Sequence, residues 1–423
     1  MKADPFQIGA MLKDEKRFVV PIYQRTYAWT KERQLEKLYD SIEAKARERL
    51  DGRESSFPHY MGAILLSPRG KFAFGKMPVF DVVDGQQRLT TYQIILAALR
   101  SLAMSLNNDR LADRISGFLL NVDNNMMANP KTEKYKIHNT KFDRKIFRDI
   151  IDLDIDTIRD RYSESFYKKG TIRSTAPLPL QAWYYFRSEA EEFILEDAGK
   201  NPAYRLQALS SALLEDFRVI IITLDEADDA QVIFETLNSG GEPLAAMDLV
   251  RNDVFHRAIR QGEDPDLLME NQWSSFEDPF WKQEIAQGRI KKPRIDFFLA
   301  HTLAAETNRE VLMSELYARY KLFVLNKAFA SVDKEVEALL CHAKTYKKLV
   351  FPEGNGPFPE FARQLNIFEV STAFPLALII ANSNAEDDVK NTIYKLITSY
   401  IVRRAICGPW VPARTDPGVP AKS

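Results

Sequence analysis

A chain of 423 residues has room for two or three domains, and with 45% hydrophobic and 28% charged residues its make-up is that of an ordinary soluble globular protein. Its 58 Lys and Arg against 59 Asp and Glu leave a formal net charge of -1, so any surface for nucleic acid or membrane has to be local. Two distant cysteines, Cys341 and Cys407, exclude a disulfide scaffold and a cysteine zinc cluster. Met1 to Lys16 holds no apolar stretch of a secretory signal, and the longest apolar run, in Ala373 to Ala381, is too short to span a bilayer; the reading is a cytoplasmic, soluble protein with no membrane partner.

In chain order, Phe18 to Tyr23 (FVVPIY) predicts a short strand, with Pro21 marking an edge or a strand end because it has no amide to donate. Thr30 is placed to cap a helix whose Leu35, Leu38 and Ile42 share one face. Gly62 to Leu66 and Val79 to Val83 read as buried strands. Asp84-Gly85 is a turn, after which Leu89, Tyr92, Leu96, Leu99 and Leu106 recur at helical spacing. Residues 107 to 205 are charged and helix-like, with loops near 121–130 and 170–179. Arg218 to Leu224 is a further strand, followed by predicted helices over 228–237 and 245–259. Helices and short Pro/Gly loops then alternate to Cys407, and 409–423, with four prolines and no apolar period, reads as a disordered tail.

Three segments carry the polar groups that chemistry requires. In Asp84-Gly85-Gln86-Gln87-Arg88-Leu89-Thr90-Thr91 a strand delivers side chains to a helix N-terminus, whose unpaired N–H groups suit an anion. Arg88 adds a guanidinium fork for phosphate, and Thr90 and Thr91 can cap the helix or bond a ligand oxygen. Asp84 can hold Mg2+ directly or through water, and Gln86 and Gln87 can orient a phosphate or an attacking water. The bland reading is a capped turn satisfying its own backbone. In Pro21 to Trp29, Gln24 and Arg25 follow a strand end, and Tyr23, Tyr27 or Trp29 can stack on a base; for Tyr27 and Trp29 the core is the better reading. In Phe234 to Asn252, Gly240-Gly241 allows close backbone approach beside Asn238, Asp248, Arg251 and Asn252, though a helix C-cap also explains the glycines.

Two basic stretches can meet DNA phosphates or form solvated helix faces. Lys131 to Asp149 has seven basic and three acidic residues, and Lys282 to Arg294 has five and one, so each is +4. The histidines at 59, 138, 256, 301 and 342 form no HxxxH or His-Asn-His-like cluster, and no Walker-type phosphate loop appears.

Taken together, PIYQR (21–25) with Trp29, GAILL (62–66), VDGQQRLTT (83–91) and FETLNSGGEPL (234–244) with Asp248-Leu249 resemble the DUF262 family, the module at the N-terminus of GmrSD-type restriction enzymes, over about residues 6 to 260. The resemblance implies an α+β fold: a ParB/sulfiredoxin-like small mixed-sheet core with a helical insertion at about 107–205, then a large all-helical region over 261–408. It implies binding and hydrolysis of a nucleoside triphosphate, with Asp84, Gln86, Gln87 and Arg88 catalytic, Asp84 also the Mg2+ ligand, and Tyr23, Gln24, Arg25, Gly85, Thr90, Thr91, Asn238 and Arg251 around the nucleotide. It further implies DNA, including modified DNA, as partner, coupled to control of a nuclease domain or subunit supplied separately; a homo-oligomer is compatible with this. A non-catalytic ParB-like DNA-binding module and a ParB-like nuclease acting through Asp84 are the alternatives. Sulfiredoxin-type cysteine chemistry is not expected, since neither cysteine is near the motif. Longer members continue into a DUF1524 domain with a His-Asn-His site; the final fifteen residues look nothing like it, so nuclease activity by that route is not expected of this chain alone.

Overall fold

The computed structural model describes residues 2–53, 57–70, 73–196, 201–225, 228, 233 and 246–407. The predicted helix over 228–237 lies almost wholly outside these residues, as do Gly240-Gly241 and the tail at 409–423. The chain divides into two units, Met1–Pro243 and Leu244–Ser423, so the helix Ala246–Arg260 packs with the second unit.

The first unit is α+β. Among the described residues its sheet has six strands, β1 (Lys2–Gln7), β2 (Arg17–Val19), β3 (His59–Pro68), β4 (Val79–Asp84), β5 (Ile137–His138) and β6 (Phe217–Thr223), arranged β1-β6-β3-β4-β2-β5. The sheet is mixed: β1/β6 and β3/β4 run antiparallel, whereas β3/β6, β2/β4 and β2/β5 run parallel. In β6, Phe217, Val219 and Ile221 point inward while Arg218 and Ile220 point out, the period-two pattern of a half-buried strand. Ile64, Leu66, Val82 and Phe18 join them in the core.

After the first helices, α1 (Ile8–Lys13) and α2 (Glu36–Leu50), comes α3 (Gln86–Ser105), which lies against this face and which the sequence marks as a helix but not as a core helix. It is buried almost all round, because the helical insertion, including Asp109–Leu119, Lys141–Asp152, Leu178–Leu195 and Pro202–Ser211, wraps it.

Some expectations shift. The strand predicted over 18–23 stops at Val19: Val20 still donates to the His138 carbonyl at 2.9 Å, but Pro21 has no amide, and the Gln24 amide closes a turn onto the Pro21 carbonyl at 3.0 Å. Thr30 precedes a π-turn (Lys31–Leu35) rather than capping with its hydroxyl; the Gln34 side chain instead accepts from the Thr30 amide at 3.2 Å. Strand β1 escaped the sequence reading because KADPFQ has no apolar alternation and is held by backbone pairing to β6.

The second unit is helical as expected, with one exception. Lys282 to Arg294 is not a helix face but mostly a hairpin, Glu284–Gln287 with Ile290–Pro293, whose loop residue Gly288 takes φ 60°. Arg294 leaves the patch altogether: it is buried, stacks over the Phe280 ring at 4.3 Å and donates to the Phe280 carbonyl. Trp273, Phe276, Trp281, Phe298 and Tyr346 form the aromatic centre of this unit. Among the described residues no helix is long and apolar enough to cross a membrane.

Candidate functional site

Strand β4 ends at Asp84 and α3 begins at Gln86, so the reversal falls on Gly85 alone. Gly85 has φ 87° and ψ 10°, the left-handed region that glycine enters at least cost. Its missing side chain matters as well, since a Cβ would lie 2.9 Å from Ile64 Cγ1 and 3.1 Å from the Ala63 carbonyl oxygen. Among the described residues no side chain caps the N-terminus of α3; Gly85, Gln86 and Gln87 are buried there, and Asp84 and Arg88 flank them with partial exposure.

The loop at 21–28 is fastened to this turn by side-chain amides. Gln24 Nε2 donates to the Val83 carbonyl at 3.1 Å, and Gln86 Nε2 donates to the Arg25 carbonyl at 2.8 Å. Gln87 uses both ends of its amide: Nε2 donates to the Thr26 carbonyl at 3.1 Å and Oε1 accepts from the Ala28 amide at 2.8 Å. From the other side Asp143 accepts from the Tyr27 amide at 2.7 Å. The two motifs are therefore neighbours in the fold, joined by these bonds.

Thr90 and Thr91 are buried and point into the core rather than at the turn. Thr91 Oγ1 donates to the Gln87 carbonyl at 2.7 Å and meets the Tyr27 hydroxyl at 2.8 Å; Thr90 Oγ1 donates to Asn139 Oδ1 at 3.1 Å. Tyr27 belongs to the core and Trp29 packs against it. Tyr23 is half-buried; burial, then the charge of Asp81, raises its phenol well above the usual range, so it stays protonated.

The side chains that keep partial exposure at the turn are Asp84 and Arg88, at 27% and 31%. Arg88 Nη1 donates to the Ala63 carbonyl of β3 and stands 3.8 Å from Asp84 Oδ2, and its guanidinium lies over Gly62. Gly62, at φ 84° in a β-bulge, leaves the space that this guanidinium fills. Arg251 belongs to the second unit, where it is buried and bonds Asp248 at 2.8 Å and Glu277 at 2.9 Å. Asn238 lies outside the described residues. Among the described residues no cluster of three or more His, Cys, Asp or Glu is placed to hold a metal ion.

Sequence reasoning missed Asn139 and Asp143, which hold Thr90 and the loop in place. The helix-start pattern at Thr140-Lys141 was the available signal, but it says nothing about what those side chains meet. Gln87→Leu keeps the volume and strands two backbone groups of the loop; we expect it to cost about 1–3 kcal/mol. Hydrogen exchange at the Ala28 amide should rise selectively, and an unchanged exchange rate there would rule out the clamp.

A family model described as the N-terminal domain of the GmrSD restriction endonuclease matches residues 8–255. No curated protein matches the chain.

Proposed function

Because the chain belongs to the family of the GmrSD restriction endonuclease N-terminal domain, a module of phage-defence restriction systems, we propose that it is the nucleoside-triphosphate-binding and hydrolysing sensor of a modification-dependent DNA restriction system. The observation that carries this reading is the N-terminus of α3, without a side-chain cap, with Asp84 and Arg88 partly exposed beside it and the 21–28 loop fastened to the turn. Helix dipole, orphan N–H groups and a guanidinium fork favour a polyphosphate there.

In this reading Arg88 binds phosphate, Tyr23, Gln24 and Arg25 line the approach, and Gln86 and Gln87 act as positioning residues, since their amides are spent on the loop. The donor set suits Mg2+, which is commonly held by one or two carboxylates plus substrate phosphates; Asp84 would hold it and the ion would neutralise phosphate charge. A nuclease domain or subunit would act on the signal.

The rival reading, a non-catalytic ParB-like DNA-binding module, draws on the same bonds: Arg88 already serves the Ala63 carbonyl and Asp84, so the turn holds itself together. Phosphate release by the purified chain with each of the four nucleoside triphosphates, with and without modified DNA, separates them. We expect release with at least one nucleotide, raised by modified DNA and lost in Asp84→Asn. Tight DNA binding with no release for any nucleotide would favour the rival, and cleavage of plasmid with Mg2+ would favour a nuclease acting through Asp84.

A further inference from the structure

The basic stretch Lys282 to Arg294 has no part in the nucleotide reading, and the structure gives it a definite shape. The strands Glu284–Gln287 and Ile290–Pro293 are joined by only two residues, Gly288 and Arg289, with Gly288 at φ 60° and Arg289 outside the left-handed region. Glycine at the first central position of a two-residue loop makes a tight turn whose twist matches that of the strands. Among the described residues no third strand joins the pair.

A lone two-stranded ribbon is marginal in water, and this one is tied down at its base. The Arg294 amide extends the ladder to the Gln283 carbonyl at 2.9 Å. The buried Arg294 side chain stacks over the Phe280 and Phe351 rings at 4.3 and 5.8 Å and donates to the Phe280 carbonyl at 2.9 Å. Trp281, just before the first strand, is buried, and its indole donates to the Ser275 carbonyl at 3.0 Å. Away from this base Glu284, Ala286, Arg289, Ile290, Lys291 and Lys292 are exposed.

The register decides where the charges go. Lys291 stands opposite Ala286 and Lys292 opposite Ile285. Neighbours in a strand point to opposite faces, so the two lysines flank the ribbon on its two sides, with Arg289 at the tip. Glu284 is the acid of the ribbon and meets Lys291 at 3.0 Å, an exposed pair of the kind that adds little and opens readily. Lys282 is held by Glu277 at 2.8 Å. Arg289 and Lys292 make no hydrogen bond or ion pair with the described residues; Lys292 feels the charge of the buried Asp296 without bonding it. The other basic stretch spends charge inside the fold: Lys136 is fully buried on Asn121 Oδ1 and the Asp14 carbonyl, and Lys134 pairs with Asp152 at 3.0 Å.

We infer that this ribbon is a DNA-binding arm that enters the major groove, with Arg289 leading and Lys291 and Lys292 reaching phosphates on the two walls. Two strands about 4.8 Å apart make a body narrow enough for a groove about 12 Å wide, which admits a two-stranded ribbon. Residues 283–293 hold three basic side chains and one acid, the sign that a polyphosphate backbone attracts. Addition of a peptide strand or of a second copy along the edge is disfavoured, because Lys291, Lys292 and Pro293 blunt it. DNA as the partner rests also on the restriction-system reading above; the arm itself does not depend on nucleotide hydrolysis.

The test uses the full chain without nucleotide, titrated with a short DNA duplex across a salt series, as wild type and as Arg289→Gln combined with Lys292→Gln. The control, Arg110→Gln with Arg114→Gln, removes two exposed arginines of the helix Asp109–Leu119 and the same net charge. We expect the ribbon variant to lose about tenfold or more in affinity, and the control clearly less, with melting as in wild type for both. The slope of log affinity against log salt should fall by about 1 for each contact removed. Filling the major groove with methyl green should weaken wild-type binding, and filling the minor groove with netropsin should not. Phosphate release without DNA is followed in parallel: its absence in wild type counts against the nucleotide reading alone, because duplex affinity decides the arm. Equal losses in ribbon and control variants, no loss in the ribbon variant, competition by netropsin only, or no duplex binding by wild type overturns the inference. Self-association that the ribbon variant abolishes, in place of duplex binding, overturns it too and assigns the ribbon to a second copy.

Discussion

Gly85→Ala is expected to destabilise the first unit by about 2–5 kcal/mol and to abolish activity at the turn. Two costs add. A non-glycine residue held at φ 87° pays about 1–2 kcal/mol for the left-handed conformation. The new methyl then meets Ile64 Cγ1 at 2.9 Å and the Ala63 carbonyl oxygen at 3.1 Å, and forcing a methyl into such a space costs about 1–3 kcal/mol. Neither neighbour yields easily, because Ile64 is fully buried and Ala63 is paired to β6. If β3 moves away to admit the methyl, it takes with it the carbonyl that Arg88 bonds. A melting temperature lower by roughly 5–15 °C follows for a unit of this size. Gly52 provides the comparison: its φ is 69°, but a Cβ there meets nothing within 4 Å, so Gly52→Ala should cost the conformational part only. Equal melting of the two variants would show that the packing of Gly85 against β3 is not what the position demands.

The strand, turn and helix around Gly85 were legible in the sequence because each signal is local. An apolar run, an Asp-Gly pair and a helical repeat from Leu89 onward specify β4, the turn and α3 without reference to the rest of the chain. The adjacency of the 21–28 loop was legible only through resemblance, since it depends on amide bonds spanning about sixty residues of sequence. The division of labour within the motif was not legible. A glutamine facing a ligand and a glutamine clamping a loop are the same letter, and the bonds of Gln87 to Thr26 and Ala28 tell them apart. Thr90 and Thr91 follow the same logic: two hydroxyls in the first turn suggest a cap, but the burial of α3 on all sides turns them toward Asn139 and Tyr27.

Arg88→Ala is expected to abolish nucleotide turnover while leaving a folded protein. A cation in the first turn of a helix is disfavoured by the helix dipole, so its presence at this position asks for a compensating partner. Two partners are within the fold, the Ala63 carbonyl and, at 3.8 Å, Asp84. They give the arginine a structural share, and its loss should lower stability by about 1–2 kcal/mol, less than the glycine substitution. They do not use the whole fork, since the side chain keeps 31% exposure beside the uncapped helix end. A bound phosphate would complete it, and each charge-assisted bond lost should weaken nucleotide binding by roughly 1.5–3 kcal/mol. Nucleotide raises the melting temperature in proportion to the logarithm of its concentration over Kd, so thermal melts separate the two shares. The structural share appears as a lower melting temperature without nucleotide. The phosphate share appears as loss of the nucleotide-induced rise, with Arg88→Lys restoring part of it because the charge remains and the fork does not. If wild type and Arg88→Ala gain the same rise from nucleotide, Arg88 only ties β3 to α3, and the phosphate has to be bound by other groups.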